Sequence, residues 1–163
     1  MTTPTSFLEP AASTPWYAVN DGVMGGVSAG AFHVDNGIGV FSGELSLEHG
    51  GGFASVRRAL PPGALADSVG IAIRFRGDGR RYQCRVGTGE TTPGISYAAG
   101  FDTIAGQWLE VSLPWAEFEA VRRGHAVPDA PRLSPDRIDR LGFLLADHRA
   151  GPFRLEIASI RAA

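Results

Sequence analysis

This sequence predicts an all-β fold, an antiparallel β-sandwich or barrel, on three observations. Short runs alternate apolar and polar residues with the period of two that half-buried strands require. Asn-Gly and Asp-Gly pairs stand between such runs, where tight reversals need positive φ. Only one short stretch has helical character, and many strands with regular turns and almost no helix define this class.

The elements follow in chain order. Residues 1–14 (MTTPTSFLEPAAST) mix Thr, Ser, Pro and Ala without periodicity, so a flexible arm is expected ahead of a single domain over 15–163. Asn36-Gly37 separates the run around Phe32 from that around Phe41 and predicts a type I′ hairpin. Beyond it, Phe41, Leu45 and Leu47 share one face while Ser42, Glu44 and Ser46 take the other. Val69, Ile71, Ile73 and Phe75 then oppose Arg74 and Arg76. Asp78-Gly79 predicts a second hairpin, leading into Tyr82, Cys84 and Val86 against Gln83 and Arg85. Leu109, Val111 and Leu113 alternate with Glu110 and Ser112. WAEFEAVRRG (115–124) follows Pro114, ends at a glycine and predicts two or three helical turns, the one short helix. LGFLLA (141–146) is apolar on both faces, as a central strand covered on each side would be, and Phe153, Leu155 and Ile157 alternate with Arg154 and Glu156. Periodicity leaves jelly-roll and immunoglobulin-like topologies equally open.

Composition narrows the chemistry. The chain has 163 residues, 44% of them apolar, enough for one domain around one core. All 15 cationic residues are arginine, and the absence of lysine excludes a P-loop lysine, a Schiff base and a lysine general base. The net charge of −2 is unevenly spread: the first 56 residues hold five acids and no cation, and the rest is net positive. There is no global basic footprint, so no nucleic-acid partner is expected. No apolar run approaches ~18 residues, so no membrane-spanning segment is expected. The cation-free start matches neither a secretory signal nor a mitochondrial presequence, and the single cysteine offers no internal disulfide. A soluble cytoplasmic protein is the expectation.

Each candidate site has a plainer use for the same residues. The glycine clusters at 21–28, 49–55 and 76–82 have the composition of anion-cradling loops, but Gly77-x-Gly79 leads into a strand, whereas a dinucleotide fingerprint opens a helix. Bulges and tight corners are the simpler use. His33, His49, His125 and His148 lack ligand spacing, and Asn20, Asp21 and Asp35 are oxygen donors without an EF-hand pattern, so neither metal nor cofactor is expected. No G-x-S-x-G elbow exists, and Cys84 alternates with Tyr82 and Val86 on an apolar face, reading as a buried thiol; no catalytic residue is assigned.

Polar residues carry the strongest signal. Ser55 and Arg57, Arg74 and Arg76, and Gln83 and Arg85 all point away from the apolar faces of their strands. Arginine forks on a sheet face suit a carboxylate, a phosphate or a partner's acidic surface, and the plain alternative is a solvated face. Trp16, Tyr17, Tyr82, Tyr97, Phe101, Trp108 and Trp115 provide rings for sugar stacking or for the core.

At these segments the chain resembles the complex I intermediate-associated protein 30 family. The resemblance rests on WYAVNDGVMGGVS (16–28), FSGELSLEHGGGFASVR (41–57), GDGRRY (77–82), Phe101 with WLEVSLPWAEF (108–118), DRLGF (139–143) and GPFRLEIASI (151–160). It implies a jelly-roll sandwich similar to galactose-binding-like domains and carbohydrate-binding modules. It also implies a role without a defined active site, since the eukaryotic member acts as a chaperone in assembly of NADH:ubiquinone oxidoreductase. The motif residues carried over are Asn20, Asp21, Gly25, Gly26, Ser28, Gly51, Gly52, Phe53, Ser55, Arg57, Asp78, Arg80 and Tyr82. The polar ones among them, together with Arg74 and Arg85, give the candidate ligand- or partner-binding set Asn20, Asp21, Ser28, Ser55, Arg57, Arg74, Asp78, Arg80, Tyr82 and Arg85. Three functions are in view: a non-catalytic interaction domain for a protein partner such as a respiratory-complex assembly intermediate, a glycan- or small-ligand-binding module, and an enzyme using the sandwich cleft with Arg57, Asp78, Arg80 or Tyr82 as polar groups.

Overall fold

A computed structural model describes residues 16–20, 29–48, 52–61, 63–89, 94–122 and 125–163, the side chains of Asn20 and Ala29 excepted. The arm at 1–14 and the motif residues Asp21, Gly25, Gly26, Ser28 and Gly51 lie outside the described residues, as does the side chain of Asn20.

The described strands are β1 (Tyr17–Asn20), β2 (Ala29–Asp35), β3 (Ile38–Leu45), β4 (Ala54–Ala59), β5 (Gly70–Arg76), β6 (Arg81–Gly87), β7 (Ser96–Asp102), β8 (Trp108–Pro114), β9 (Glu119–Arg122), β10 (His125–Ala126), β11 (Arg140–Leu145) and β12 (Gly151–Ala162). They form two antiparallel sheets, one of seven strands in the order β1-β4-β11-β6-β7-β9-β10 and one of five in the order β2-β3-β12-β5-β8. The chain passes repeatedly from one sheet to the other, which makes the sandwich a jelly roll.

The core follows from the alternation. Phe41, Ile73, Phe75, Phe153, Leu155 and Ile157 of the five-stranded sheet meet Val56, Tyr82, Cys84, Phe101, Leu141 and Phe143 of the seven-stranded one, all buried. Phe41 bridges the layers, edge-on to Tyr82 with ring centroids 6.2 Å apart. Each large side chain so buried contributes about 1.5–3 kcal/mol of transfer free energy. Cys84 sits within this layer, where burial pushes its thiol up to about 12, so it is an unreactive apolar group at neutral pH. A register shift in β12 between Ile157 and Ser159 resets the alternation, and Ile160 returns to the core.

The Asn36-Gly37 hairpin forms as expected, with φ of 51° and 78°. Three local expectations are corrected. Asp78-Gly79 is not a hairpin turn: β5 and β6 belong to different sheets, and only Gly79 adopts positive φ, 93°. The segment crosses the edge of the sandwich because the Asp78 carboxylate is held by groups from both layers. The 115–124 segment is not a helix of two or three turns. Trp115–Glu117 makes one 3-10 turn, anchored by Trp115 Nε1 donating to Ser68 Oγ at 3.0 Å and by packing on Phe118, and 119–122 then pairs with β7 as β9. An open strand edge outweighs local helical preference there. Val69 and Leu47 stand outside their strands, 74% and 43% exposed, and the structure uses the Val69 main chain, bonded to Ala163 and Trp115.

Candidate functional site

Alternation along each strand decides which side chains leave the core, and register decides which of them meet. On the outer face of the seven-stranded sheet, Tyr17 pairs with Arg57, Arg57 with Gly142, Gly142 with Arg85, and Arg85 with Ala98, one continuous row across five strands. The adjoining row places Val19, Ser55, Leu144, Gln83 and Gly100. The Ser55 hydroxyl is buried and donates to the Val19 carbonyl, tying β1 to β4.

Glycines give the arginines room to lie along this face. A Cβ at Gly142 would collide with the Val56 carbonyl oxygen and press on Arg57, one at Gly87 would strike the Arg140 guanidinium, and one at Gly100 would lie 2.6 Å from Arg81 Nη2. Arg85 is fixed by its own neighbours: Nε donates to Gln83 Oε1 at 2.8 Å and Nη1 to Ser96 Oγ at 2.8 Å. Burial and then the nearby Arg57 charge push Arg85 down to about 10, and burial and then Arg140 lower Arg57, with Tyr17 opposing in part. Among the described residues, neither Arg57 nor Arg140 lies in an ion pair. Ser55, Arg57, Arg85, Ser96, Arg140, Gly142 and Leu144 surround a recess of about 20 Å³.

Arg74 projects outward as expected, but from the opposite side of the molecule, because β5 belongs to the five-stranded sheet. Arg74 and Arg76 lie over the Trp108 ring, 5.8 and 5.0 Å from its centroid. Arg76 Nη2 and Arg154 Nε reach Glu156 at 2.6 and 3.0 Å, and Arg161 pairs with Glu110 at 3.1 Å. This face is balanced. Burial pushes the Glu156 carboxyl up, but hydrogen bonds from Arg154 and Arg76 outweigh it and hold the group below its ordinary 4.5. Because the folded value is the lower one, the stabilisation is complete above 4.5 and drains away as pH falls through the folded value. Wild type is therefore expected to exceed Glu156→Gln in urea midpoint near neutral pH, with the gap shrinking in acid. A gap of equal size at both would contradict this.

Asp78, Arg80 and Tyr82 converge at one end of the sandwich. Asp78 accepts from the Tyr82 hydroxyl at 3.0 Å, from the Arg154 N–H at 2.8 Å and from the Arg80 N–H at 3.1 Å. Arg80, 7% exposed, donates to the Arg149 and Ala150 carbonyls at 2.6 and 3.2 Å and faces Asp147 at 3.5 Å. Thr103 Oγ1 donates to the Arg80 carbonyl and accepts from the Gly79 N–H. Burial, and then the Asp78 charge, push the Tyr82 phenol well above its ordinary value. A broader hollow of about 720 Å³ lies near β9 and β10, against Trp115, Phe118, Tyr97 and Leu133; its charged side chains, Glu119 and Arg132, are both exposed.

The structure thus distributes the candidate residues. Ser55, Arg57 and Arg85 share one face, Arg74 lies on the other, and Asp78, Arg80 and Tyr82 form a corner. Arg140 and Gly142 join the first group without having been singled out in the sequence. The available signal was a glycine in an outward position of β11, one strand away from outward arginines on each side.

A sandwich of two antiparallel sheets with this order is a jelly roll. The chain is similar to the family 11 carbohydrate-binding module of a cellulosomal cellulase from Clostridium thermocellum, at 15% identity and TM-score 0.66, covering 96% of this chain and 94% of that one. A family 11 module from the same organism, in complex with a β-1,3-1,4-mixed-linked tetrasaccharide, matches at 16% identity and TM-score 0.64 over 95% and 93%. A family 29 carbohydrate-binding module matches at 9% identity and TM-score 0.58 over 98% and 81%. Likeness at these identities establishes the fold alone. The chain belongs to the complex I intermediate-associated protein 30 (CIA30) family, which it matches over residues 5–157.

Proposed function

We propose that this protein is a non-catalytic interaction domain that holds a protein partner against the outer face of its seven-stranded sheet. The observation that carries this is the crowding of Arg57, Arg85 and Arg140 around one recess, with no carboxylate paired to Arg57 or Arg140 among the described residues. Partly desolvated like charges cost free energy in the isolated domain, and a complementary partner offsets that cost. The family name supports an assembly intermediate of a respiratory complex as the kind of partner. In this reading Asp78, Arg80 and Tyr82 hold the corner together, Arg74 belongs to the balanced opposite face, and Asn20, Asp21 and Ser28 are candidates through the family motif alone.

Affinity capture from the native host tests this. A partner retained by wild type and by Arg74→Ala, but lost with Ala98→Tyr, which adds bulk to the seven-stranded face, is the expected result. Identical capture by all three would remove that face from consideration. A glycan reading has one observation of its own: the Tyr17 ring, 47% exposed, stands beside Arg57 on the same face. Titration calorimetry with the mixed-linked tetrasaccharide decides it, and absence of heat at millimolar sugar ends it.

A further inference from the structure

We infer that Arg57 and Arg85 clamp a carboxylate carried by an acidic side chain of that partner, seated in the recess that Gly142 helps to line, with Arg140 as the third cation there. The inference rests on the partner-binding reading above and names the chemistry of its contact. Arg57 and Arg85 stand on the strands either side of β11 and are both in register with Gly142. Two strand spacings put their backbones ~10 Å apart, and both side chains line the same recess, where two guanidinium groups can share one carboxylate. Between them Gly142 presents no side chain.

Arg85 is held in place at the edge of the recess. Two of its five N–H groups are spent on Gln83 and Ser96, which fixes the fork while leaving other donors for a ligand. The recess decides the size of what enters. At about 20 Å³ it admits one oxygen atom, whereas a drug-sized ligand needs a pocket of ~300 Å³ or more. A carboxylate oxygen on a protruding side chain meets that limit.

The surround argues for a protein as its source. Tyr17 flanks Arg57 in the same row, and Leu144 lines the recess. Tyrosine and arginine are the residues in which protein-binding hot spots are enriched.

The test uses the full chain, a short peptide of alternating Glu and Ala, its Gln counterpart, citrate and inorganic phosphate, each titrated at low and physiological salt. The Glu peptide is expected to bind, to weaken at higher salt, and to lose at least ~tenfold in affinity with Arg57→Gln and with Arg85→Gln, while Arg74→Gln leaves it unchanged. Arg57→Gln is also expected to raise the thermal midpoint by ~2 °C, because it relieves repulsion in the free domain; a purely structural arginine would lower it. Should Arg85→Gln fail to fold, Arg85→Lys keeps the charge but not the fork, and loss of the same sign is expected.

Equal binding of the Gln peptide, equal binding by all variants, or no binding of the Glu peptide overturns the clamp. Citrate or phosphate binding as tightly as the peptide also overturns it, by making the occupant a free anion. In each of these outcomes, loss of the captured partner with Ala98→Tyr would still stand and leave the partner-binding face intact.

Discussion

Asp78→Ala is expected to lower the unfolding free energy by about 3 kcal/mol, the largest loss of any single change away from the hydrophobic core. The carboxylate accepts from three donors: the Tyr82 hydroxyl, the Arg80 N–H and the Arg154 N–H. Tyr82 is fully buried, so its hydroxyl would be left without an acceptor inside the core. Arg154 lies on β12, in the opposite sheet to Tyr82 on β6, so one carboxylate joins the two layers. Tyr82→Phe removes only one donor and is expected to cost about 1 kcal/mol. Urea unfolding of the two variants gives both numbers. A smaller loss for Asp78→Ala than for Tyr82→Phe would contradict the role assigned to this corner.

Gly142→Ala is expected to cost about 2 kcal/mol, although alanine is small and β11 is a strand. The new Cβ would run into the Val56 carbonyl oxygen on β4, a backbone atom engaged in the sheet. Neither atom can turn aside as a flexible side chain would, so β11 and β4 must separate within the seven-stranded sheet. The same substitution fills the floor beneath Arg57 and Arg85. Partner capture should therefore fall further than the loss of stability alone accounts for. A neutral Gly142→Ala in urea unfolding would show that the strands have slack there, and the floor of the recess with them.

Particular residues show what was legible in the sequence. The alternation of Tyr82, Cys84 and Val86 against Gln83 and Arg85 was readable because burial on one face imposes a period of two, and the strand follows it. Asn36-Gly37 was readable because its requirement for positive φ is local. Asp78-Gly79 has the same local chemistry, yet the carboxylate's bonds to Tyr82 and to Arg154, far along the chain, carry the segment across the sandwich instead. The segment after Trp115 departs from its local helical character for a similar reason, since the open edge of β7 that receives β9 leaves no trace in residues 119–122.

The same distinction governs the site. Alternation assigns a face of a strand but not a sheet, so Arg57, Arg74 and Arg85 all read as outward while only Arg57 and Arg85 meet. Arg140 stands just ahead of, and Gly142 is hidden within, an apolar run that reads as covered on both sides. It is covered on both sides, but its outer cover at Gly142 comes from arginine side chains rather than from another layer of chain. Part of the glycine content acquires a definite use in this way: Gly87, Gly100 and Gly142 are places where an arginine lies across the sheet.

That the outer face of the seven-stranded sheet is the partner-binding surface is most directly tested by site-specific photo-crosslinking in the native host. One probe replaces Ala98, in the row with Arg85, and another replaces Ser112, which faces outward from β8 on the opposite sheet. A discrete crosslinked protein from position 98 and none from position 112 is the predicted result. The same product from position 112 with nothing from position 98 would contradict it.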